Sequence, residues 1–121
     1  MRLPGLFLVG TDTGVGKTTI AAGIVRNLRR SGVRCGVLKP VATGATRDAS
    51  GAWHSEDTAR LIEAVGLDLE PSRVTPLAYE APLAPCVAAR HAGAILNEAD
   101  VLQAVGDAIA WWENQADLLV V

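Results

Sequence analysis

The chain has 121 residues, the length of one domain or of part of one, and half of them are hydrophobic, which allows a sizeable core. Its net charge of −2 and its scattered Lys and Arg residues exclude a basic nucleic-acid-binding surface and a polybasic membrane patch. No apolar run is long enough to span a bilayer, and Pro4 interrupts the first one, so we expect a protein without a signal peptide. We also expect a cytoplasmic location, with Cys35 and Cys86 as free thiols.

The first elements in the chain are a predicted strand, a Gly-rich loop and a predicted helix. The apolar residues 6–9 are typical of a strand buried on both faces, and GTDTGVGKTT follows at positions 10–19. Glycines in such a loop let backbone N–H groups approach phosphate oxygens, and the helix dipole adds positive potential. The strict phosphate-loop spacing would place glycine at position 11, where Thr11 stands, so a turn with a surface lysine is the alternative.

Residues 17–30 are predicted to form the helix, with Ile20, Ile24 and Leu28 on one face and Gly32 as its stop. Residues 34–39 are predicted to form the second strand, ended by Pro40. In a parallel strand–helix–strand unit ligands collect outside the carboxyl ends of the strands, so Lys39 is expected at the same sheet edge as the loop. From its position alone, Lys39 is either a second cation that faces the γ-phosphate or a solvated lysine at the end of a strand.

The next segment contains two further polar candidates. Thr43 is either a donor to a substrate or a turn residue. Residues 45–54 are expected to be a mobile loop, and residues 55–66 a helix with Ser55 as N-cap and Gly66 after its last turn. Asp57 in its first turn is either an acid stabilised by the helix dipole or a carboxylate near Mg²⁺.

The last third of the chain is predicted to hold a connector at 67–76, a short strand at 77–79, a Pro-rich loop with a short helix opened by Pro85, and a helix at about 98–115 after Asn97. Trp111 and Trp112 cannot face the same way, so one is expected in the core. Residues 117–121 are typical of a buried strand. We therefore expect residues 1–121 to be a single ATP-binding domain of the phosphate-loop type that continues beyond Val121.

Four segments together resemble the dethiobiotin synthetase family. GTDTGVGKT at 10–18 is similar to its phosphate loop G-T-D-T-x-V-G-K-T, and KPVATG at 39–44 to its K-P-V-x-[ST]-G segment. Residues 55–61 are similar to its metal-binding helix start, and residues 82–89 to its P-x-x-P-x-x-A-A segment. In that family position 14 is often glutamate, and an E-G-x-G-G segment with a further metal ligand, then an adenine pocket, follows the last strand seen here.

The resemblance implies an α/β fold, with the three layers of phosphate-loop proteins and a mostly parallel central sheet, of which this chain is the N-terminal part. It implies a Mg²⁺- and ATP-dependent ligase, working as a homodimer, that closes the ureido ring of dethiobiotin from 7,8-diaminononanoate and CO₂ in biotin biosynthesis. One amine forms a carbamate, ATP phosphorylates it to a mixed anhydride, and the second amine expels phosphate.

Site residues follow from matching these motifs. The catalytic residues would be Lys17 and Lys39, the metal ligands Thr18 and Asp57, and the substrate-binding residues Thr13, Lys39 and Thr43. The residues expected to bind ATP are Thr13, Gly14, Val15, Gly16, Lys17, Thr18, Thr19 and Asp57.

Two rival functions share the phosphate loop. An ATP-dependent amide-forming synthase is the first, although it would not be expected to carry KPVATG. A partitioning or switch ATPase is the second; its signature lysine precedes the loop at a position that holds Asp12 here. Phosphate release separates the three functions. It would require the diamine for a dethiobiotin synthetase, glutamine or ammonia for an amide-forming synthase, and neither for a switch ATPase.

Overall fold

A computed structural model describes residues 3–8, 16–42, 44–79, 90, 93 and 97–121 of the chain. Its helices are α1 (Lys17–Arg30), α2 (Glu56–Val65), α3 (Pro71–Val74) and α4 (Glu98–Glu113). Its strands are β1 (Gly5–Leu6), β2 (Cys35–Val37), β3 (Val41–Ala42), β4 (Thr46–Arg47), β5 (Trp53–His54), β6 (Leu77–Ala78) and β7 (Leu118–Val120). Among these described residues, no helix combines the length and the hydropathy needed to cross a membrane.

A three-stranded parallel sheet with the order β1-β7-β2 forms the centre of the described fold. Leu119 of β7 lies opposite Gly5 on one side and Gly36 on the other. A second parallel pair, β3 with β6, begins just after β2 ends. The predicted α/β class with parallel strands is therefore confirmed, and the last strand of the chain lies between the first two.

The first strand differs from its prediction. Within the described residues it covers only Gly5–Leu6, Leu6 is partly exposed and Phe7 is 72% exposed, whereas Val9 lies outside the described residues. β1 pairs with β7 and lies at the edge of the sheet among the described strands, and the exposure of Leu6 and Phe7 shows that this apolar run is not buried on both faces.

Helices α1 and α2 pack against each other and against β2. In α1 the buried side chains are Ala21, Ala22 and Val25, whereas Ile20, predicted for the buried face, is 55% exposed. Ile24 and Leu28, predicted for the same face, are partly buried and pack against the core, so the predicted face is wrong at Ile20 only. The bounds of α1 agree with the prediction.

Both ends of α2 are as predicted. The Ser55 hydroxyl accepts a hydrogen bond from the Thr58 N–H at 3.4 Å, and Gly66 ends the helix with a φ of 76°. Asn97 caps α4 in the same way by accepting from the Asp100 N–H at 2.9 Å. These caps satisfy backbone donors that the first turn of a helix leaves without partners.

Helix α4 is joined to the sheet through Trp112, which is fully buried, while Trp111 is only partly buried. The Trp112 ring lies over Gly36 of β2, so closely that a Cβ at that position would overlap it. Its indole N–H donates to the Arg73 carbonyl at 3.0 Å, which satisfies the one polar atom of the ring. The prediction that one of the two tryptophans lies in the core is confirmed.

The polar segment at 45–54, expected to be a mobile loop, contains an antiparallel hairpin of β4 and β5. Asp48 Oδ1 accepts hydrogen bonds from the Ser50 and Ala52 N–H groups at 2.8 and 3.1 Å and closes the turn. The Arg47 guanidinium lies 4.3 Å from the centre of the Trp53 ring. Local side-chain contacts rather than an apolar face order this hairpin, so hydrophobic periodicity did not predict it. The short helix predicted from Pro85 lies outside the described residues.

Candidate functional site

An open cleft of about 700 Å³ lies where the carboxyl ends of β1, β2 and β7 meet the first turns of α1 and α2. Its apolar wall comes from the strands and includes Leu38 and Val120, both buried. Its polar groups come from the two helices and from the residue that follows Leu38. They are Lys17, Thr18, Thr19, Lys39, Asp57 and Arg60. This is the sheet edge at which ligands of parallel α/β proteins bind.

The N-terminus of α1 opens into the cleft. Gly16 stands at the N-cap with a φ of 76° and a ψ of 28°, a left-handed conformation that glycine adopts without strain. Having no side chain, Gly16 cannot cap the helix, and no acidic residue lies in the first turn. The first-turn N–H groups, which have no acceptor inside the helix, and the helix dipole therefore favour an anion at this position.

Lys39 and Asp57 form an ion pair across the cleft. The Lys39 Nζ donates to Asp57 Oδ2 at 2.5 Å, and the two side chains are 31% and 42% exposed. The Lys39 backbone is held in place by its N–H, which donates to the Val74 carbonyl at 2.8 Å as the chain leaves β2. Asp57 is held by the first turn of α2. Two rigid elements thus bring a cation and a carboxylate together from positions 18 residues apart.

The charge of Asp57 is well stabilised in this arrangement. Burial raises the pKa of the Asp57 carboxyl, but several surrounding groups together outweigh it, first among them Lys39 through its hydrogen bond and its charge, so the pKa of Asp57 lies below its ordinary value. The Thr18 hydroxyl and the Arg60 charge lower that pKa further. Asp57 is therefore an anion at neutral pH, and it faces groups on three different elements.

The oxygen atoms of Thr18 and Asp57 fit a magnesium ion. A hydroxyl and a carboxylate are hard oxygen donors, and Mg²⁺ is usually held by one or two carboxylates together with substrate phosphates and water. In the part of the chain that the structure describes, no group of three His, Cys, Asp or Glu side chains could hold a metal ion by itself. A metal at this position would consequently take further ligands from a bound nucleotide or from solvent.

Six of the predicted site residues line the same cleft: Gly16, Lys17, Thr18, Thr19, Lys39 and Asp57. Thr13, Gly14, Val15 and Thr43 lie outside the described residues, and their roles stay predictions. A second cavity of about 510 Å³, between the hairpin and α3, is lined by none of the predicted site residues. The functional roles assigned to the six residues are also predictions, although their meeting at one place is observed.

Sequence analysis missed one charged group of the cleft, Arg60. Its signal was available, since Arg60 follows Asp57 by three positions on a predicted helix and therefore shares its face. It also missed the apolar side of the cleft, to which Phe7 and Val121 contribute. Those residues meet there only because β7 lies between β1 and β2, which no local pattern indicated.

Comparison with known proteins gives the family. A family model described as an AAA domain matches residues 4–121, nearly the whole chain. The chain belongs to this AAA-domain family. The matched residues include α1 and α2 and the strands β1, β2 and β7, which together build the cleft.

Two curated relatives of this AAA-domain protein have the same name. A protein of Pseudomonas aeruginosa (strain UCBPP-PA14), named ATP-dependent dethiobiotin synthetase BioD, is 41% identical over 98% of this chain and 50% of its own length. A protein of the same name from Pseudomonas paraeruginosa (strain DSM 24068 / PA7) is 42% identical over 89% of this chain and 47% of its own length. The resemblance inferred from the motifs is confirmed, and the chain spans about half the length of the curated relatives it matches.

Proposed function

We propose that this chain carries the phosphate-binding and catalytic-lysine part of an ATP-dependent dethiobiotin synthetase. The observation that carries the proposal is the meeting of Lys39 and Asp57 in the cleft where Lys17, Thr18 and the open N-terminus of α1 also lie. A phosphate loop alone would support any nucleotide-binding protein. A second lysine, Lys39, in the same cleft as Lys17 supports a reaction in which two anions must be brought together.

The proposed reaction forms the ureido ring from 7,8-diaminononanoate and CO₂. One amine of the diamine adds to CO₂ and gives a carbamate. The carbamate oxygen takes the γ-phosphoryl group of ATP, which leaves ADP and a carbamic–phosphoric anhydride. The neighbouring amine then attacks the carbonyl carbon, the C–O bond to phosphate breaks, and the ring closes with release of inorganic phosphate.

The residues of the cleft supply charge and position for these steps. Lys17 and the first-turn N–H groups of α1 would hold the β- and γ-phosphates, and Lys39 would lie between the carbamate and the γ-phosphate. Since phosphoryl transfer depends mainly on positioning and charge stabilisation, no side chain has to form a covalent bond. Thr13 and Thr43 are proposed to contact the substrate, and Gly14, Val15 and Thr19 the nucleotide phosphates.

Lys39 would exchange partners in the course of binding. In the structure its ammonium is paired with Asp57, which keeps both charges compensated in a partly buried cleft. Thr18 and Asp57 are proposed to hold Mg²⁺ with the nucleotide, and the ion would neutralise phosphate charge. Asp57 would then face the metal and leave Lys39 for the carbamate and the γ-phosphate.

Three further properties belong to the same proposal. Residues 1–121 are proposed to belong to one ATP-binding domain, since the family model matches residues 4–121. We propose that the whole enzyme acts as a homodimer on small molecules, without nucleic acid or membrane as a partner. We also propose that it acts in the cytoplasm, where ATP is available.

Phosphate release tests the proposal and separates it from its rivals. The protein is supplied with ATP, Mg²⁺ and bicarbonate, with and without the diamine, and phosphate and dethiobiotin are measured, the latter by mass spectrometry. The expected result is phosphate release that requires the diamine and matches dethiobiotin formation. Release without the diamine would support a switch ATPase, and release only with glutamine or ammonia would support an amide-forming synthase; either result would overturn the proposal.

A further inference from the structure

Neither the motifs nor the proposed reaction assigns a role to Arg60, one of the charged residues of the cleft. It lies three positions after Asp57 in α2, so both side chains project from the same face of the helix. Arg60 lines the same cleft as Lys17 and Lys39. Its side chain is 52% exposed, which leaves the guanidinium at the rim of the cleft, in reach of solvent.

Within the part of the chain that the structure describes, one weak ion pair holds Arg60 at that rim. Its Nη2 donates to Glu56 Oε1 at 2.7 Å, one turn back on the same helix, and the Glu56 side chain is 80% exposed. Exposed ion pairs of this spacing contribute little to stability, because water and salt screen them and two long side chains lose freedom. The guanidinium can therefore leave Glu56 for a stronger anion at small cost.

The charge of the cleft favours such an anion. Among the residues that the structure describes, three cations line the cleft, Lys17, Lys39 and Arg60, against one carboxylate, Asp57. The whole chain carries a net charge of −2, so this positive excess is local. A concave site lined by one sign of charge concentrates its field and attracts ligands of the opposite sign.

The chemistry of the side chain narrows the choice of ligand. A guanidinium presents N–H donors in a planar fork that matches two oxygens of a phosphate group, and it stays charged at any physiological pH. Asp57 already has Lys39 as its hydrogen-bond partner, so the charge of Arg60 is not needed to satisfy that carboxylate.

We propose that Arg60 is a third phosphate-binding cation of the cleft, held ready at the rim by Glu56 and released to the nucleotide when ATP binds. This inference rests on the proposed function, because it takes ATP as the ligand. It assigns Arg60 a role in binding the polyphosphate chain, whereas Lys39 acts on the transferred group.

ATP affinity of matched variants tests the inference. Arg60→Ala is compared with Arg26→Ala, which removes the same charge from an exposed position of α1 outside the cleft. Calorimetric titration with ATP, and separately with tripolyphosphate, is expected to give affinities about three- to tenfold lower for Arg60→Ala and unchanged for Arg26→Ala. Arg60→Lys should recover part of the loss, and high salt should narrow the difference.

A double-mutant cycle with Glu56 distinguishes binding from a structural effect. Glu56→Gln removes the carboxylate that competes for Arg60, so ATP should bind more tightly to this variant than to the unaltered protein. If Arg60 receives the phosphate, this gain disappears in the double variant Glu56→Gln, Arg60→Ala. An equal gain with and without Arg60 would mean that Glu56 merely repels the nucleotide, and would overturn the inference.

Failure of this inference is distinguishable from failure of the proposed function. If Lys17→Ala weakens ATP binding while Arg60→Ala binds like Arg26→Ala, the phosphate site stands and the role of Arg60 is wrong. If Arg60→Ala alone weakens binding and Lys17→Ala does not, the phosphate-loop assignment is wrong. If the unaltered protein binds neither ATP nor tripolyphosphate, both proposals are wrong.

Discussion

The ammonium of Lys39 lies 2.5 Å from a carboxylate oxygen of Asp57, at the point where β2 ends and α2 begins its first turn. The pair joins the two segments whose motifs resemble the lysine segment and the metal-binding helix start of dethiobiotin synthetases. The pair lies in the same cleft as Lys17 and Thr18, so a nucleotide bound there would be within reach of all four side chains.

Replacement of Lys39 by glutamine should lower the rate of dethiobiotin formation about 10²-fold or more and leave ATP binding mostly intact. The glutamine keeps a hydrogen-bond donor but loses the charge that would stabilise the transferred phosphoryl group. Steady-state kinetics and ATP titration measure the two effects. Arg34→Gln is the control, since it breaks an exposed ion pair with Asp117 far from the cleft. A Lys39→Gln rate within a few fold of the unaltered protein would remove Lys39 from the mechanism.

Replacement of Lys17 by alanine should abolish turnover and weaken ATP binding, because a cation in the first turn of α1 carries the phosphate charge. Nucleotide titration and product formation are the measurements. Arg30→Ala, which removes a charge from the last turn of the same helix, should change neither. Near-normal turnover of Lys17→Ala would refute the assignment of the loop and helix start as the phosphate site.

Replacement of Gly36 by alanine should destabilise the fold by about 1–3 kcal/mol or more, because the new methyl group overlaps the buried Trp112 ring. Gly23→Ala is the matched control: position 23 lies inside α1, where an added Cβ meets open space. That change should stabilise the helix by about 0.5–1 kcal/mol. Urea unfolding gives both values, and equal effects of the two substitutions would contradict the packing of α4 on β2.

The hairpin should respond to acid through Asp48. Hydrogen bonds from the Ser50 hydroxyl and from His54 hold the pKa of the Asp48 carboxyl well below its ordinary value. A pKa that is lower in the folded state stabilises that state above the unfolded value, about 4, and the stabilisation is lost as pH falls further. The difference in unfolding free energy between the unaltered protein and Asp48→Ala should therefore be constant above about pH 5 and shrink below about pH 4.

The origin of this shift can be checked directly. Ser50→Ala removes the largest cause, so the pKa of Asp48, followed by NMR titration of its carboxyl, should rise towards the ordinary value. An unchanged Asp48 pKa in Ser50→Ala would show that the turn does not depend on that hydroxyl. Constant stability differences down to pH 2 would contradict the acid dependence.

Several features of this protein were determined by the sequence alone, and they are local ones. The start of α1 at Lys17, the Ser55 cap and the Gly66 stop of α2, and the Asn97 cap of α4 all lie where they were predicted. Each depends on contacts between residues at most four positions apart, so the sequence itself contains both partners. The described end of the phosphate motif, from Gly16 into the first turn of α1, belongs to this class, because a glycine followed by a helix start is a local feature.

Only the tertiary structure decided which of these local elements meet. β7 lies between β1 and β2, and Ile20 of α1 is exposed although Ile24 and Leu28 of the same predicted face pack against the core. The ion pair of Lys39 with Asp57 and the place of Arg60 in the same cleft depend on how β2 and α2 are arranged in space. Strand order and charge pairing of this kind are set by the burial of surfaces between distant segments, and the hydrophobic pattern within one segment does not indicate which other segment covers it.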